Sequence, residues 1–287
     1  MAGSGSGGPV QPSGPSNLQL RVISGVVLAI IVLSVTWVGG LAFRLFAAVM
    51  ALAIVYEWLT ITAGRDWTRR HWMVAGLLGI VMLMLVANLS PAIVLAGLLV
   101  GASLVFVEAS FGQRAYWPPS GLLYAGLGAI ALAMLRGGDT AGLWALLFLF
   151  ATVWVTDIAA YFVGRAIGGA KLAPRISPGK TWSGAVGGAI GGAIGGLVVA
   201  MFADRVVGLP VFVLMAFVLS ILSQCGDLFE SHLKRRFAVK DSSNLIPGHG
   251  GVMDRVDSLV AAAVAFYVMG AVLAGPGSPA HAFFAAG

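Results

Sequence analysis

Apolar runs recur nine times along this chain, over about 22–39, 41–62, 72–89, 91–107, 119–135, 141–164, 182–203, 209–232 and 256–274, with short polar breaks between them. Each run is close to the roughly 20 residues that a helix needs to cross about 30 Å of hydrocarbon. A helix satisfies its own backbone donors and acceptors where no water can. The pattern therefore predicts an all-α polytopic membrane protein with about nine transmembrane helices. Residues 1–20 are Gly/Ser/Pro-rich and nearly uncharged, so they cannot bury enough apolar surface to fold and are expected to form a disordered tail. The apolar run after Arg21 is too long for the hydrophobic part of a signal peptide and leads straight into a second span. Residues 21–287 then make a single transmembrane domain.

Composition agrees: 59% of residues are hydrophobic, 10% are charged, and mean hydropathy is +0.95. The formal charge of +6 does not point to nucleic acid, because the bases sit in short loops between spans. All but three of the 17 (Arg44, Arg136 and Arg205) fall in the tail or in loops 62–72, 108–118, 165–181 and 233–255. The positive-inside rule then sets the N-terminus in the cytoplasm and the C-terminus outside. Cys225 stands alone, so no intrachain disulfide is available. The seventh run carries Gly188, Gly192 and Gly196 at every fourth position, a surface that lets another backbone approach closely. Packing within the chain is the expected use, with a homodimer face as the alternative.

Against this apolar background, residues 227–257 hold five of the 11 acids and five of the 17 bases. Charge beside hydrocarbon is costly and marks a functional site by default. Asp227, Ser231 and Lys234 recur at helical spacing on one face of the eighth span's end. An unpaired Asp227 there would cost several kcal/mol or lose its charge. Asp254 and Asp257 stand at i, i+3 where the ninth span begins, so inward carboxylates on two neighbouring helices could hold a hard cation such as Mg²⁺. A salt bridge from Asp227 to Lys234 or Arg235 is the plainer alternative. No Cys/His pattern suits zinc, and His232 and His249 are too isolated to pair. The run Pro247-Gly248-His249-Gly250-Gly251 allows close backbone approach and leads into a helix start. The 165–181 loop adds Arg165, Lys171, Arg175, Ser177, Lys180 and Thr181, with Thr181 at a helix N-terminus, a combination suited to phosphate. Glu57 and Glu108 lie near cytoplasmic span ends, where a snorkelling or surface-paired acid is expected.

The string Ser231-x-x-Lys234-Arg235-x₄-Lys240-Asp241-x-Ser243-x-x-Ile246-Pro247-Gly248-His249-Gly250-Gly251-x-x-Asp254-Arg255-x-Asp257 resembles the signature of bacterial phosphatidate cytidylyltransferases (CDP-diacylglycerol synthases). Asp157-x-x-Ala160-Tyr161-x-x-Gly164-Arg165 and Ile176-Ser177-Pro178-x-Lys180-Thr181 also look like that family, and the resemblance runs from about residue 20 to 275. One position departs: Ser183 stands where the family usually has glutamate. The resemblance implies transfer of a cytidylyl group from CTP to phosphatidic acid at the cytoplasmic face of a bacterial inner membrane. It implies Mg²⁺ on Asp227 and Asp254, with Asp257 and Asp241 open between further ligation and orientation of bases. Lys240 and Arg255 join the two aspartates as catalytic residues. Ser177, Lys180, Thr181, Ser231, Lys234, Arg235, His249, Gly250 and Gly251 are the expected substrate contacts. A CTP-dependent polyprenol kinase and an ion transporter are the competing functions.

Overall fold

A computed structural model describes residues 17–63, 67–110, 116–246 and 250–286. Its helices follow the nine apolar runs: α1 Asn17–Val38, α2 Gly40–Ala63, α3 Arg69–Val86, α4 Pro91–Ser110, α5 Trp117–Arg136, α6 Thr140–Ile167, α7 Trp182–Phe202, α8 Leu209–Arg236 and α9 Met253–Ala274. Among the described residues, α2 to α9 are each long and apolar enough to cross a membrane, and α1 is a shorter apolar helix over Val22–Val38. The protein is an all-α multi-pass membrane protein. Of the tail expected over 1–20, residues 17–20 belong instead to the first turns of α1, and residues 1–16, with Arg65 and Arg114, lie outside the described residues.

α5 is apolar all round and is wrapped by α2, α3, α4, α6 and α9. α7 lies along α6 and α8. A Cβ on Gly192 would run into Thr156 and Ser220, and one on Gly196 into Ala216, Thr152 and Phe148. The glycine stripe is therefore spent on contacts within the chain. At that crossing the Thr156 and Ser220 hydroxyls are 2.6 Å apart, a pairing that leaves neither without a partner between the helices.

The two ends of the bundle differ in chemistry. At one end Gly40 N donates to Gly137 O at 3.2 Å. Arg136, only 3% exposed, donates to the carbonyls of Thr36, Trp37 and Asp139, which closes the C-terminal end of α1. The other end gathers the end of α2, the start of α5, the end of α8 and the start of α9. Trp58 Nε1 donates to Trp117 O at 2.9 Å, and Trp58, Tyr124 and Phe229 stack as an aromatic floor.

Two differences from the sequence reading arise at this second end. The 165–181 segment is not wholly irregular: β1 (Lys171–Ala173) and β2 (Ser177–Thr181) form an antiparallel hairpin, with Lys171 opposite Thr181. The helices also run past their apolar segments, α6 to Ile167, α8 to Arg236 and α9 back to Met253. Hydropathy measures the hydrocarbon, whereas backbone hydrogen bonding continues into the polar layer.

Candidate active site

The polar ends of α6, α7 and α8 and the hairpin enclose a cavity of about 600 Å³. Asp157, Lys171, Lys180, Thr181, Gln224 and Asp227 are among the groups that line it. Thr181 caps α7 by accepting from Gly184 N at 3.1 Å. Ser183, where an acid was expected by resemblance, donates to Gly168 O at 2.5 Å and ties the end of α6 to the start of α7. Asp227 lies on the α8 wall. Its Oδ2 is ion-paired with Lys180 of β2, and its Oδ1 accepts from Ser231 Oγ at 3.3 Å. The plainer sequence alternative, a bridge from Asp227 to Lys234 or Arg235, is therefore not the one formed.

Lys234 reaches instead to α9. Its Nζ is 2.6 Å from Asp254 Oδ1 and 2.7 Å from Glu230 Oε2, so one ammonium stands between two carboxylates. Asp254 Oδ2 accepts from Ser242 N at 2.9 Å, Ser242 Oγ at 2.8 Å and Gly251 N at 2.8 Å. Asp254 thus joins α8, α9 and the 237–252 loop. Gly250 has φ +80°, and a Cβ there would sit 2.7 Å from Asp254 Oδ2, which explains glycine at that position. Asp257, 8% exposed, accepts from Ser258 N at 2.8 Å. Gly226 lets α8 approach α9 here, since its Cβ would lie 2.6 Å from Asp257 O. Asp157 of α6 and Asp257 of α9 both lie near enough to Asp227 of α8 to feel its charge.

The remaining expected residues divide. Ser177 begins β2, and Arg235 Nε donates to Ile176 O at 3.3 Å, holding the hairpin to α8. Lys240 is exposed beyond the end of α8, and Arg255 is exposed on the first turn of α9. His249, with Pro247 and Gly248, lies outside the described residues.

Several residues of this region were not among the expected contacts. Asp157 lines the cavity, and its signal was available as an acid well inside the sixth apolar run. Glu230 is 2% exposed, with Oε1 buried and unpartnered. Glu108 is the surface-paired acid anticipated, 2.5 Å from Arg70. Glu57 is not: it is fully buried and accepts four hydrogen bonds from the 242–253 segment.

Among the described residues no three His, Cys, Asp or Glu side chains form a closed metal cage. The oxygen donors nevertheless suit Mg²⁺, which is usually held by one or two carboxylates with substrate phosphates and waters completing its shell. Asp227 and Asp254 are ion-paired with Lys180 and Lys234, so a Mg²⁺ ion would take the place of these ammoniums at the carboxylates. Next to this region a second, mainly apolar groove of about 420 Å³ runs between α1, α2, α6 and α9. Leu28, Met50, Phe150, Trp154 and Leu259 line it, and Arg255 also borders it.

A family model described as the cytidylyltransferase family matches residues 19–273. A phosphatidate cytidylyltransferase of Brucella suis is 47% identical over 94% of this chain and 99% of its own length. One from Staphylococcus saprophyticus is 33% identical over 85% of this chain and 95% of its own length.

Proposed function

The chain belongs to the cytidylyltransferase family, and we propose that it transfers the cytidylyl group of CTP to phosphatidic acid, giving CDP-diacylglycerol and pyrophosphate for phospholipid synthesis. The observation that carries this reading is a cavity that holds the charged groups Asp157, Lys180 and Asp227, with a separate apolar groove bordered by Arg255 on the other part of α6. Such an arrangement offers a charged space to a soluble triphosphate and an apolar one to a membrane lipid.

The lipid phosphate carries about −1.5 to −2 charge near neutrality, so it needs no strong base to become a nucleophile. The obstacle is repulsion: each pair of unit charges 4 Å apart costs about 4 kcal/mol at an effective dielectric near 20. Lys180, Lys234, Arg235, Lys240 and Arg255 supply the protein's countercharge. Lys180 is held at the cavity by the hairpin, and Lys234 is held near Asp254 by the carboxylates on either side. Asp227 and Asp254 would hold Mg²⁺, with Asp257 as the further candidate ligand. When bound, the ion neutralises phosphate oxygens and stabilises the leaving pyrophosphate. Ser177, Thr181 and the backbone of Gly250 supply neutral donors for remaining oxygens, while Ser231 Oγ and Gly251 N are spent on Asp227 and Asp254.

The groove takes an acyl chain while the headgroup lies at Arg255. The basic loops support a cytoplasmic orientation for this end of the bundle, at the inner membrane of a bacterial cell. Purified protein given α-labelled CTP, Mg²⁺ and phosphatidic acid should put label into the lipid extract and release pyrophosphate. Release of CDP with phosphorylated lipid would make it a kinase and overturn the reading.

A further inference from the structure

Glu57 lies in the second helix, far in sequence from every motif of the site. It is 0% exposed, yet both of its carboxylate oxygens are fully engaged by residues 185 to 196 positions later. Oε1 accepts from Val252 N at 2.8 Å and Ser243 Oγ at 2.5 Å. Oε2 accepts from Met253 N at 2.7 Å and Ser242 Oγ at 3.2 Å. The two backbone donors open α9, one turn before Asp257 and immediately before Asp254. Val252 offers the helix no side-chain cap of its own, so Glu57 caps α9 from another helix. Ser242 is shared: the same hydroxyl reaches Glu57 and Asp254 Oδ2. A Cβ on Gly251 would collide with both Ser242 Oγ and Glu57, so the close seat of the carboxylate also accounts for glycine there.

We propose that Glu57 is a positioning residue for cytidylyl transfer: it locks Ser242, Ser243, Val252 and Met253 onto α2 and thereby fixes Asp254 at the site. This rests on the reading above only for what Asp254 does; the locking itself does not. A carboxylate is required by the geometry. Each oxygen faces one backbone N–H, so either orientation of a glutamine amide would turn its NH₂ group toward a donor.

The experiment uses the full-length protein in detergent or nanodiscs, with Glu57→Gln compared against Leu59→Ala. Leu59 is a buried apolar residue of the same helix turn and makes no contact of this kind. Glu57→Gln should speed amide hydrogen exchange across 242–253, and should lower kcat by about 10- to 100-fold, the range for lost supporting contacts. Leu59→Ala should lower the melting temperature while kcat per folded molecule and exchange in 242–253 stay close to wild type. If Glu57→Gln fails to fold, Ser243→Ala, which removes one donor from a half-buried position, should move exchange and kcat in the same direction by a smaller factor. Unchanged exchange in these variants overturns the locking. So does an equal kcat loss in Leu59→Ala, because the effect would then belong to the fold in general. Faster exchange in a protein that makes no CDP-lipid would leave the locking in place and remove the reaction assignment instead.

Discussion

Lys234 bridges two carboxylates that also touch each other, and most of the residue-scale chemistry follows from that placement. Its side chain is 17% exposed, while those of Glu230 and Asp254 are 3% and 6% exposed. Lys234→Met would leave both acids facing each other without countercharge. Removing one partner of a buried ion pair typically costs about 3–5 kcal/mol. The variant should therefore lose stability of that order in a denaturant or thermal titration, together with activity. The Asp227–Ser231–Lys234 face was legible in the sequence because helical spacing alone puts the three residues on one side. Glu57 was not legible. Its donors lie beyond residue 240, and an acid near a span end reads as a snorkelling side chain unless the tertiary contact is known. The alternative of an Asp227 bridge to Lys234 or Arg235 failed for a similar reason: Lys180 reaches Asp227 from a hairpin that hydropathy does not reveal.

At the scale of elements, α7 is held by closeness rather than by bulk. Its glycines carry no side chain toward α6 and α8, so hydroxyls and methyls from those helices fill the space. Gly192→Ala should destabilise the bundle by about 1–3 kcal/mol, the usual cost of overpacking. Gly76→Ala in α3, where a Cβ meets nothing within 4 Å, should leave the melting temperature within error. Equal effects from both would contradict this account of the stripe. The apolar runs forecast each helix to within a few residues, since length and hydropathy decide what can cross a bilayer. The β1–β2 hairpin escaped because short, polar, Pro- and Gly-containing strands lack the alternation that announces a sheet. Its effect on the site is large, because β2 carries Ser177, Lys180 and Thr181 as one rigid unit into α7.

Over the whole molecule, two spaces with different linings border α6. The cavity between α6, α7 and α8 holds several charged side chains, and the groove between α1, α2, α6 and α9 is lined mainly by hydrocarbon. α6 serves both, with Asp157 toward one and Phe150 and Trp154 toward the other. Ala53→Trp would fill part of the groove. Turnover of long-chain phosphatidic acid should then fall relative to a short-chain form, with the KM for CTP unchanged; equal losses for both lipids would argue against acyl chains in that groove. The account depends most on Asp227 and Asp254 holding the charge of the reacting phosphates. The direct measurement is transfer of label from α-labelled CTP to phosphatidic acid by purified Asp227→Ala and Asp254→Ala proteins whose membrane insertion and monodispersity match wild type. Both should yield no CDP-diacylglycerol above background at saturating Mg²⁺, and near-normal product from either would contradict the assignment.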